Sequence, residues 1–411
     1  MKLNNSTSKR ILVKYQGKII NGLYQNGKMI QLDIEDGKEN PSILGNVYIG
    51  KVKNIVKNIG VAFIEVGNGI SCYYSINKNK NPYIVNSING KSQGTNIVVG
   101  DEILVQVEKE ALKTKEPTVT SKISLTGRYL AITLDGKHST AVSGKISDDV
   151  WKKEVKEKVV EFLKSKENNY VSVIVRTNAY VANTDEILEE LEILYSRIEK
   201  LMAVAHHRTC YSLLYQAPAS YLLALRDTRE EQLEEIVTDD KEIYDEILQF
   251  MEQSSWNGKN KVRFYEDKLL SLSKLYSLET VISSALQEKV WMKSGAYLVI
   301  QHTEALTVID VNSGKAIKGN GDLEETFYKL NVEAAKEIAH QLRLRNLSGI
   351  ILVDFIDLKQ EENKYLLLDQ LKRFVSSDPI KTIVVDMTKL NLVEITRKKV
   401  RKPLHEVIKK W

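Results

Sequence analysis

Two apolar runs in the C-terminal part of this 411-residue chain each contain an acidic side chain. Asp310 lies in the run 306–311 and Asp354 in the run 350–356. Side chains alternate along an extended segment, so Asp310 and Asn312 share one face, whereas Asp354 lies on an otherwise largely apolar face. A carboxylate in such surroundings is costly unless it is paired or binds a cation. Because Mg²⁺ prefers carboxylate and amide oxygens and leaves positions for water and phosphate, the runs favour a magnesium site suited to phosphodiester hydrolysis.

Each run also has a purely structural interpretation. The sequence Asn312-Ser313-Gly314 fits an ordinary turn, and Asp354 could pair with a nearby lysine or arginine. For either motif alone this interpretation is as good as the functional one. The occurrence of both motifs in one chain favours a site.

The elements around the two aspartates alternate between strand and helix. Apolar patterning predicts strands at 297–300, 306–311, 349–356 and 382–385, and helices at 323–345 and 361–375. This order predicts an α/β layered region in which Asp310 and Asp354 lie in, or at the ends of, adjacent elements.

Composition is that of an ordinary globular protein with several folded domains, at 43% hydrophobic and 27% charged residues. The net charge of +5 is compatible with a polyanionic partner but does not demonstrate one. Residues 389–411 contain eight basic and two acidic side chains. This cluster fits a solvated helix face at least as well as a track for phosphates.

Cysteine usage and hydropathy exclude several classes of protein. Cys72 and Cys210 are far apart and lack metal-ligand spacing, so neither a disulfide framework nor a zinc site is expected. His206 and His207 are adjacent, and neighbouring residues on a helix point in different directions, so packing in the core or on the surface is a better interpretation than a metal site. The first ten residues are polar and no apolar run is long enough to span a membrane, which predicts a cytoplasmic protein.

The N-terminal third is rich in short strands. Residues 11–33 fit a small antiparallel sheet that is too short to stand alone, and residues 45–124 contain five short runs typical of a small barrel of the oligonucleotide-binding type. Phe63, Tyr73 and Tyr74 lie near several lysines and could stack on bases beside phosphate contacts. For any single ring, packing in the barrel core is an equally good interpretation.

The middle of the chain contains a second phosphate-binding candidate. Helical patterns at 148–166 and 185–205 flank a predicted strand at 170–175, and Arg176-Thr177 lies where that strand ends. A guanidinium and a hydroxyl together can hold a phosphate, although an ordinary salt bridge is a common alternative.

The motifs of the C-terminal region, in their order and spacing, closely resemble those of the bacterial ribonuclease E/G family. They lie at 303–314, 321–326, 331–335, 341–345 and 353–357. The segments 45–52 and 173–177 show a weaker resemblance to the start of the family's RNA-binding barrel and to its phosphate-sensing segment. The resemblance covers nearly the whole chain.

The resemblance implies an α+β multidomain fold. An OB-fold RNA-binding barrel (43–125) and a 5′-phosphate-sensor region (126–222) would split an RNase H-like subdomain into two parts (1–42 and 223–285). A DNase I-like α/β catalytic subdomain would follow (286–411).

The resemblance further implies a Mg²⁺-dependent endoribonuclease that cuts single-stranded, often A/U-rich RNA, prefers 5′-monophosphorylated ends, and acts in RNA processing and mRNA decay. Asp310 and Asp354 would hold the Mg²⁺ that activates the attacking water, and Asn312 would orient the scissile phosphate or assist the metal. Arg176 and Thr177 would bind the 5′-phosphate.

By the same resemblance, Phe63 and Tyr73 match aromatic RNA contacts of the barrel, and Lys109 and Lys115 match basic residues of the RNA channel. Lys389 replaces an arginine of the sensor; because lysine lacks the planar guanidinium fork, weaker phosphate discrimination is expected. Leu112 replaces another basic channel residue.

The family's zinc-linking Cys-x-x-Cys does not follow the segment 396–401 in this sequence. Any homo-oligomer is therefore expected to form without that link. The alternatives are a catalytically weak or inactive RNA-binding protein of the same fold, and a metal-dependent phosphatase or nuclease acting on small molecules or DNA. The intact Asp310, Asn312 and Asp354 argue against a pure binding protein, and the barrel argues against the second alternative.

Overall fold

The computed structural model describes residues 7–37, 42–88, 96–111, 115–166, 171–228, 233–254, 256, 258–316 and 322–408. The strands are β1 (Ser8–Tyr15), β2 (Lys18–Gln25), β3 (Lys28–Asp36), β4 (Val47–Val56), β5 (Val61–Glu65), β6 (Ser71–Ser75), β7 (Ile84–Asn86), β8 (Glu102–Lys109), β9 (Thr118–Thr120), β10 (Ile123–Thr126), β11 (Leu130–Leu134), β12 (Thr140–Val142), β13 (Val171–Val175), β14 (Leu213–Tyr215), β15 (Leu233–Thr238), β16 (Val262–Phe264), β17 (Lys289–Trp291), β18 (Tyr297–His302), β19 (Leu306–Asn312), β20 (Gly349–Asp354), β21 (Thr382–Met387) and β22 (Leu392–Arg397). The helices are α1 (Asp149–Lys164), α2 (Thr184–Ala205), α3 (Ser220–Asp227), α4 (Lys241–Gln253), α5 (Leu272–Leu275), α6 (Leu278–Leu286), α7 (Leu323–Leu344), α8 (Glu361–Val375) and α9 (Leu404–Ile408).

The chain forms two compact units. The first unit comprises Met1–Gly37, Glu230–Glu246 and Asn260–Trp411, and the second comprises Lys38–Arg229 and Ile247–Lys259. No helix in the described part of the chain combines the length and the apolar character needed to cross a membrane.

A five-stranded sheet in the first unit has the order β16-β15-β1-β2-β3. The N-terminal strands are antiparallel, as their alternation predicts, and β1 also pairs in parallel with β15, from much later in the chain. Buried Ile11, Ile20 and Leu32 pack in one cluster with Val237 and Leu278. Strands from two distant segments thus complete a sheet that neither segment could form alone.

A six-stranded sheet in the same unit has the order β17-β18-β19-β20-β22-β21, and within it β19 and β20 are parallel. Alternate residues of these strands, such as Leu298, Ile309 and Val353, are buried in a cluster with Ala334 of α7 and Leu371 of α8. The two helices therefore cover one face of the sheet. The side chains between the buried ones, including Asp310 and Asp354, lie on the exposed face.

Strand β22 corrects the interpretation of the basic C-terminal segment. A solvated helix face is wrong for Leu392–Arg397, because this segment pairs with both β20 and β21 inside the sheet. Arg397 is buried and its Nε donates to Asp378 at 2.6 Å. Part of the local positive charge is therefore structural, because a buried guanidinium needs an acidic partner.

The second unit contains a closed five-stranded barrel, β4-β5-β6-β9-β8, in which β4 also pairs with β8. This barrel is consistent with an OB-fold. Two of the five short runs predicted within 45–124, at 47–49 and 52–56, belong to a single strand, β4, whose register shifts between Val52 and Asn54. Next to the barrel in the chain, a four-stranded sheet of order β10-β11-β13-β12 shares a core with α1 and α2.

An ion pair within the first unit leads to a prediction about stability. His340 of α7 has Glu337 at 3.0 Å from Nδ1 and the Met29 carbonyl at 2.9 Å from Nε2. Both partners accept, so the doubly protonated ring fits best. Burial alone would lower the pKa of His340, but Glu337 and the Met29 carbonyl raise it above its ordinary 6.5. Burial alone would raise the pKa of Glu337, but His340 and Gln341 lower it below 4.5.

The ion pair therefore stabilises the fold fully only between the ordinary pKa of Glu337, 4.5, and the ordinary pKa of His340, 6.5. It is lost as pH rises through the raised pKa of His340, and as pH falls through the lowered pKa of Glu337. His340→Gln is expected to lower the free energy of unfolding by about 1–2 kcal/mol near pH 5.5 and by less at pH 8, measured by urea denaturation. His207→Gln, at an exposed position, is the control; an equal loss at both pH values would contradict the assignment.

Candidate active site

The two aspartates of the sequence analysis lie side by side. Asp310 on β19 and Asp354 on β20 are direct partners in the parallel register of the two strands. Neighbouring strands lie about 4.8 Å apart, so both carboxylates project from adjacent positions on the exposed face. Helix α7 fills the connection between the strands, as a parallel crossover requires.

The electrostatics of this pair fit a cation site. Burial, followed by the negative charges of Asp310 and Asp357, raises the pKa of Asp354. In the described part of the chain, no lysine or arginine forms an ion pair with Asp310 or Asp354. The alternative in which a basic neighbour neutralises Asp354 therefore has no support among these residues. Two adjacent carboxylates that repel each other are stabilised by a bound cation.

Asn312 completes the cluster. Its Nδ2 donates to Oδ2 of Asp310 at 2.6 Å, and its side chain lies on the same face two residues further along β19. The amide orients one carboxylate and keeps its own oxygen available for a ligand or a donor. A turn follows Asn312, as the Asn-Ser-Gly sequence suggests, but the turn and the polar site coexist.

The strand end after Asp354 is supported by residues that the sequence analysis did not single out. Asn391, in the turn between β21 and β22, donates from Nδ2 to Asp357 at 3.3 Å and accepts from Lys364 at 3.2 Å. Lys389 is exposed in the same turn. Asn391 has a positive φ of 62°, and since asparagine tolerates this better than most residues, the residue type was the signal available from the sequence.

The barrel aligns three of its four candidate residues. Phe63 pairs with Tyr73, Tyr73 pairs with Thr118, and Thr118 pairs with Lys109, so these residues form one row across β5, β6, β9 and β8. The strand neighbours of Phe63 and Tyr73 are buried, whereas Tyr73 is 38% exposed and Lys109, after a register shift beyond Val107, is exposed. Two rings and an ammonium group thus share the outer face, and core packing is excluded for Tyr73 but not for Tyr74, which is fully buried. Lys115 is exposed, and Leu112 lies outside the described residues.

Arg176 and Thr177 lie together where β13 ends, whereas Lys389 belongs to the other unit. Arg176 Nη1 donates to the Gly127 carbonyl at 2.7 Å, and Nη2 donates to Asp227 at 2.9 Å. The hydroxyls of Thr177 and Ser143 are 3.0 Å apart. The ion-pair alternative for Arg176 is therefore present in the structure, although the salt bridge occupies only part of the guanidinium fork.

Asp227 is itself shared between two arginines. Desolvation alone would raise its pKa, but Arg226 and Arg176 hold that pKa below its usual range. Arg226 Nε donates to the same oxygen at 2.9 Å. Sequence alone could not pair Asp227 with Arg176, because the two residues lie in different elements.

A buried glutamate anchors the loop that supports Arg176. Glu190 of α2 accepts hydrogen bonds from the backbone N–H groups of Arg128, Tyr129 and Leu130, the last two at 2.8 Å. The signal for it was its place on the apolar face of α2, between Ile187 and Leu194.

Comparison with known proteins identifies the family. The model of the ribonuclease E/G family matches residues 124–400, which is more than half of the chain. The chain belongs to the ribonuclease E/G family. This result confirms the resemblance seen in the C-terminal motifs, and the matched region contains Asp310, Asn312, Asp354, Arg176 and Lys389.

Curated members of the family are similar over almost the whole chain. Ribonuclease G of Haemophilus influenzae is 32% identical over 396 residues, which cover 94% of this chain and 78% of that protein. Ribonuclease G of Escherichia coli K12 is 30% identical over 393 residues, with the same coverage of 94% and 78%. Ribonuclease E of Haemophilus influenzae is 29% identical over 389 residues, which cover 93% of this chain but only 41% of that protein.

The turn after Asn312 leads to a prediction about activity. Gly314 has a φ of +53°, and a Cβ placed there would lie 2.5 Å from the backbone oxygen of Gly295. Gly314→Ala is therefore expected to displace the turn and the adjacent Asn312, lowering the rate of RNA cleavage about ten- to hundredfold in single-turnover assays.

Gly27→Ala is the matched control, because Gly27 has a similar φ of +78° but no heavy atom within 4 Å of the added Cβ. Both variants carry the strain of a left-handed alanine, and only Gly314→Ala carries the collision. Equal activity of the two variants would show that the turn does not position the site.

Proposed function

We propose that this protein is a Mg²⁺-dependent endoribonuclease that hydrolyses single-stranded RNA, prefers 5′-monophosphorylated ends and acts in RNA processing and decay. Membership of the ribonuclease E/G family indicates the endoribonuclease class. The observation that carries the metal-dependent mechanism is the direct register of Asp310 and Asp354 on adjacent parallel strands, with Asn312 bonded to Asp310.

The donor set fits Mg²⁺ better than a softer metal. It consists of two carboxylates and an amide, all oxygen donors, and magnesium uses only one or two protein carboxylates. The described residues contain no group of three or more His, Cys, Asp or Glu side chains placed to hold an ion.

Asp310 and Asp354 would hold the Mg²⁺. When bound, this ion supplies a water of lowered pKa and neutralises charge on the phosphate. One N–H of Asn312 Nδ2 keeps Asp310 oriented, and the other can donate to a phosphate oxygen. Burial and then repulsion from Asp310 and Asp357 raise the pKa of Asp354, and a bound cation would relieve the repulsion.

The outer face of the barrel supports single-stranded RNA as the substrate. Phe63 and Tyr73 are cross-strand partners, and Lys109 lies in the same row. Base stacking on aromatic rings beside a positive charge is the usual means of binding a single strand without reading its sequence. Exposed Lys115 would add a further phosphate contact.

Two subdomain assignments belong to the same proposal. We assign the five-stranded sheet, built from strands before residue 37 and after residue 232, to the RNase H-like subdomain. The six-stranded sheet with α7 and α8 is assigned to the DNase I-like catalytic subdomain. A homo-oligomer without a zinc link remains a prediction.

The 5′-phosphate preference rests on Arg176 and Thr177. Arg176→Gln is expected to reduce the ratio of cleavage rates on 5′-monophosphorylated and 5′-hydroxyl RNA about tenfold or more, because it removes a charged hydrogen bond to the phosphate. Cleavage of the 5′-hydroxyl RNA should change little.

Thr177→Val is the companion variant. It removes only a hydroxyl and leaves the bonds of Arg176 to Gly127 and Asp227 intact, so it should reduce the ratio less. If Arg176→Gln slows both RNAs equally, Arg176 is structural and the sensor assignment fails.

The proposal as a whole is tested by incubating the purified protein with a single-stranded RNA in Mg²⁺, in EDTA, and in EDTA followed by excess Mg²⁺. Cleavage only when free Mg²⁺ is present is expected. Cleavage that persists in EDTA would refute the metal-dependent mechanism, and no cleavage under any condition would favour an RNA-binding protein of the same fold.

A further inference from the structure

The exposed face of the six-stranded sheet contains a second cluster beside the two aspartates. In the register of β17, β18 and β19, Trp291 pairs with Tyr297, and Tyr297 pairs with Asn312. Cross-strand partners project from the same face of a sheet. Trp291 and Tyr297 therefore share the face and the row of Asn312.

The next row, two residues away, contains Lys289 and the aspartates. Lys289 pairs with Val299, Val299 pairs with Asp310, and Asp310 pairs with Asp354. Because successive strands lie about 4.8 Å apart, the backbone of Lys289 is roughly 10 Å from that of Asp310. We call Trp291, Tyr297 and Lys289 the aromatic platform.

The platform is a compact unit of aromatic and positive groups. The ring centroids of Trp291 and Tyr297 are 5.0 Å apart with an interplanar angle of 56°. Lys289 Nζ lies 3.7 Å from the Tyr297 ring centroid and 4.2 Å from that of Trp291. No carboxylate in the described part of the chain pairs with Lys289, so its charge is available to an anionic ligand.

A role in folding does not account for Trp291. Its side chain is 61% exposed on an edge strand, whereas Trp256 is 3% exposed. An indole in the core stabilises a protein by burial, but an indole that remains in water contributes little of this free energy. Large exposed rings next to a catalytic site are typical of ligand contacts.

We infer that the aromatic platform is a base-stacking subsite that binds a nucleotide flanking the scissile phosphate of single-stranded RNA. Trp291 supplies the stacking face, Tyr297 supports the indole, and Lys289 contacts the adjacent phosphate. This inference rests on the proposed function, because it assigns a substrate contact to the same catalytic face.

Charge and geometry favour RNA over a protein as the occupant. An unpaired ammonium beside two rings matches a base joined to a phosphate. A second copy of the chain that added to the sheet at the edge next to the platform would pair with β17, which has three residues and would offer few backbone hydrogen bonds. The platform is also continuous with the row of Asn312, to which the proposed function assigns a contact with the scissile phosphate.

The test uses the full chain and a single-stranded RNA with one cleavage site. A series of substrates replaces each nucleotide near that site, one at a time, by an abasic ribose. Wild type is compared with Trp291→Ala, Trp291→Phe and Tyr365→Ala, the last being a 71% exposed aromatic on α8, the helix that covers the opposite face.

Trp291→Ala is expected to raise KM about tenfold on the intact RNA with a smaller change in kcat, since loss of one stacked base weakens binding by roughly this factor. The difference from wild type should vanish on one abasic substrate, the one that lacks the stacked base. Trp291→Phe should retain most of the affinity, and Tyr365→Ala should behave as wild type. Lys289→Gln should weaken all substrates alike and lower the salt dependence of binding by about one unit of slope.

Three outcomes would overturn the inference. In the first, Trp291→Ala equals wild type on every substrate; in the second, it loses the same factor on every substrate including all abasic ones; in the third, it changes the oligomeric state instead of RNA affinity. The first shows no contact, the second a structural role, and the third an interface between copies of the chain.

A failure of the proposed function is recognised separately. In that case wild type would not cleave the intact RNA at all. The stacking subsite would still be judged by fluorescence anisotropy, comparing RNA binding by Asp310→Asn with binding by the double variant that also carries Trp291→Ala. Equal affinities in that comparison would overturn the subsite independently of catalysis.

Discussion

Asp310→Asn is expected to abolish RNA cleavage in Mg²⁺ while the protein stays folded and still binds RNA. The variant keeps the shape of the side chain and its place on β19, but it removes one of two adjacent negative charges. Metal-ion stabilisation of a phosphoryl transition state contributes several kcal/mol, so the expected loss in kcat is about a thousandfold or more. Single-turnover cleavage and fluorescence anisotropy with the same RNA would measure the two effects.

A carboxylate on the helix-covered side of the same unit provides the control. Asp369 of α8 pairs with Arg373 at 2.7 Å and is about half exposed, so Asp369→Asn should cleave RNA at the wild-type rate. Thermal unfolding of both variants would verify that neither has lost its fold. Wild-type activity of Asp310→Asn would remove the basis of the proposed mechanism, whereas loss of RNA binding together with cleavage would indicate a structural role for Asp310.

The catalytic sheet shows how far sequence could lead. Apolar patterning predicted β18, β19 and β20, and the carboxylates of Asp310 and Asp354 within apolar runs predicted that a partner or a cation lies nearby. Their direct pairing depends on register, which is determined by packing against α7 and α8 and is not visible in either strand alone. The row that joins Trp291 to Asn312 could not be predicted either, because β17 is too short to show a hydrophobic pattern in the sequence.

Strand β22 and the partner of Arg176 are two features involving charged residues that were not predicted from the sequence. Strand β22 was missed because its C-terminal end runs into the basic segment 397–402. The ion pair with Asp378 and the hydrogen bonds to Asn346 and the Leu347 carbonyl allow Arg397 to be buried in the sheet. For Arg176 the motif was found from sequence, but its partner Asp227 comes from a separate helix. Contacts between elements that are distant in sequence depend on the packed structure, so they are the part that pattern alone could not predict.

Glu190→Ala is expected to destabilise the second unit by about 3–5 kcal/mol, because three backbone N–H groups lose the Glu190 carboxylate as an acceptor at once and each buried unsatisfied donor costs about 1–3 kcal/mol. Burial raises the pKa of Glu190, and its hydrogen bonds to the same three N–H groups oppose this shift. The hydrogen bonds that fix the loop 127–130 therefore offset part of the free-energy cost of burying the carboxylate. Chemical denaturation followed by circular dichroism would measure the loss.

The same variant should separate the sensor from the catalytic site. Loop 127–130 holds Arg176 through the Gly127 and Tyr129 carbonyls, the latter accepting from the Arg176 backbone N–H at 2.7 Å. Glu190→Ala should therefore reduce the preference for 5′-monophosphorylated RNA, under conditions in which the protein is still folded, and leave cleavage of 5′-hydroxyl RNA nearly unchanged. Glu189→Ala, at the exposed neighbouring position of α2, is the matched control. If both variants unfold at the same denaturant concentration, the three hydrogen bonds to Glu190 do not stabilise the loop.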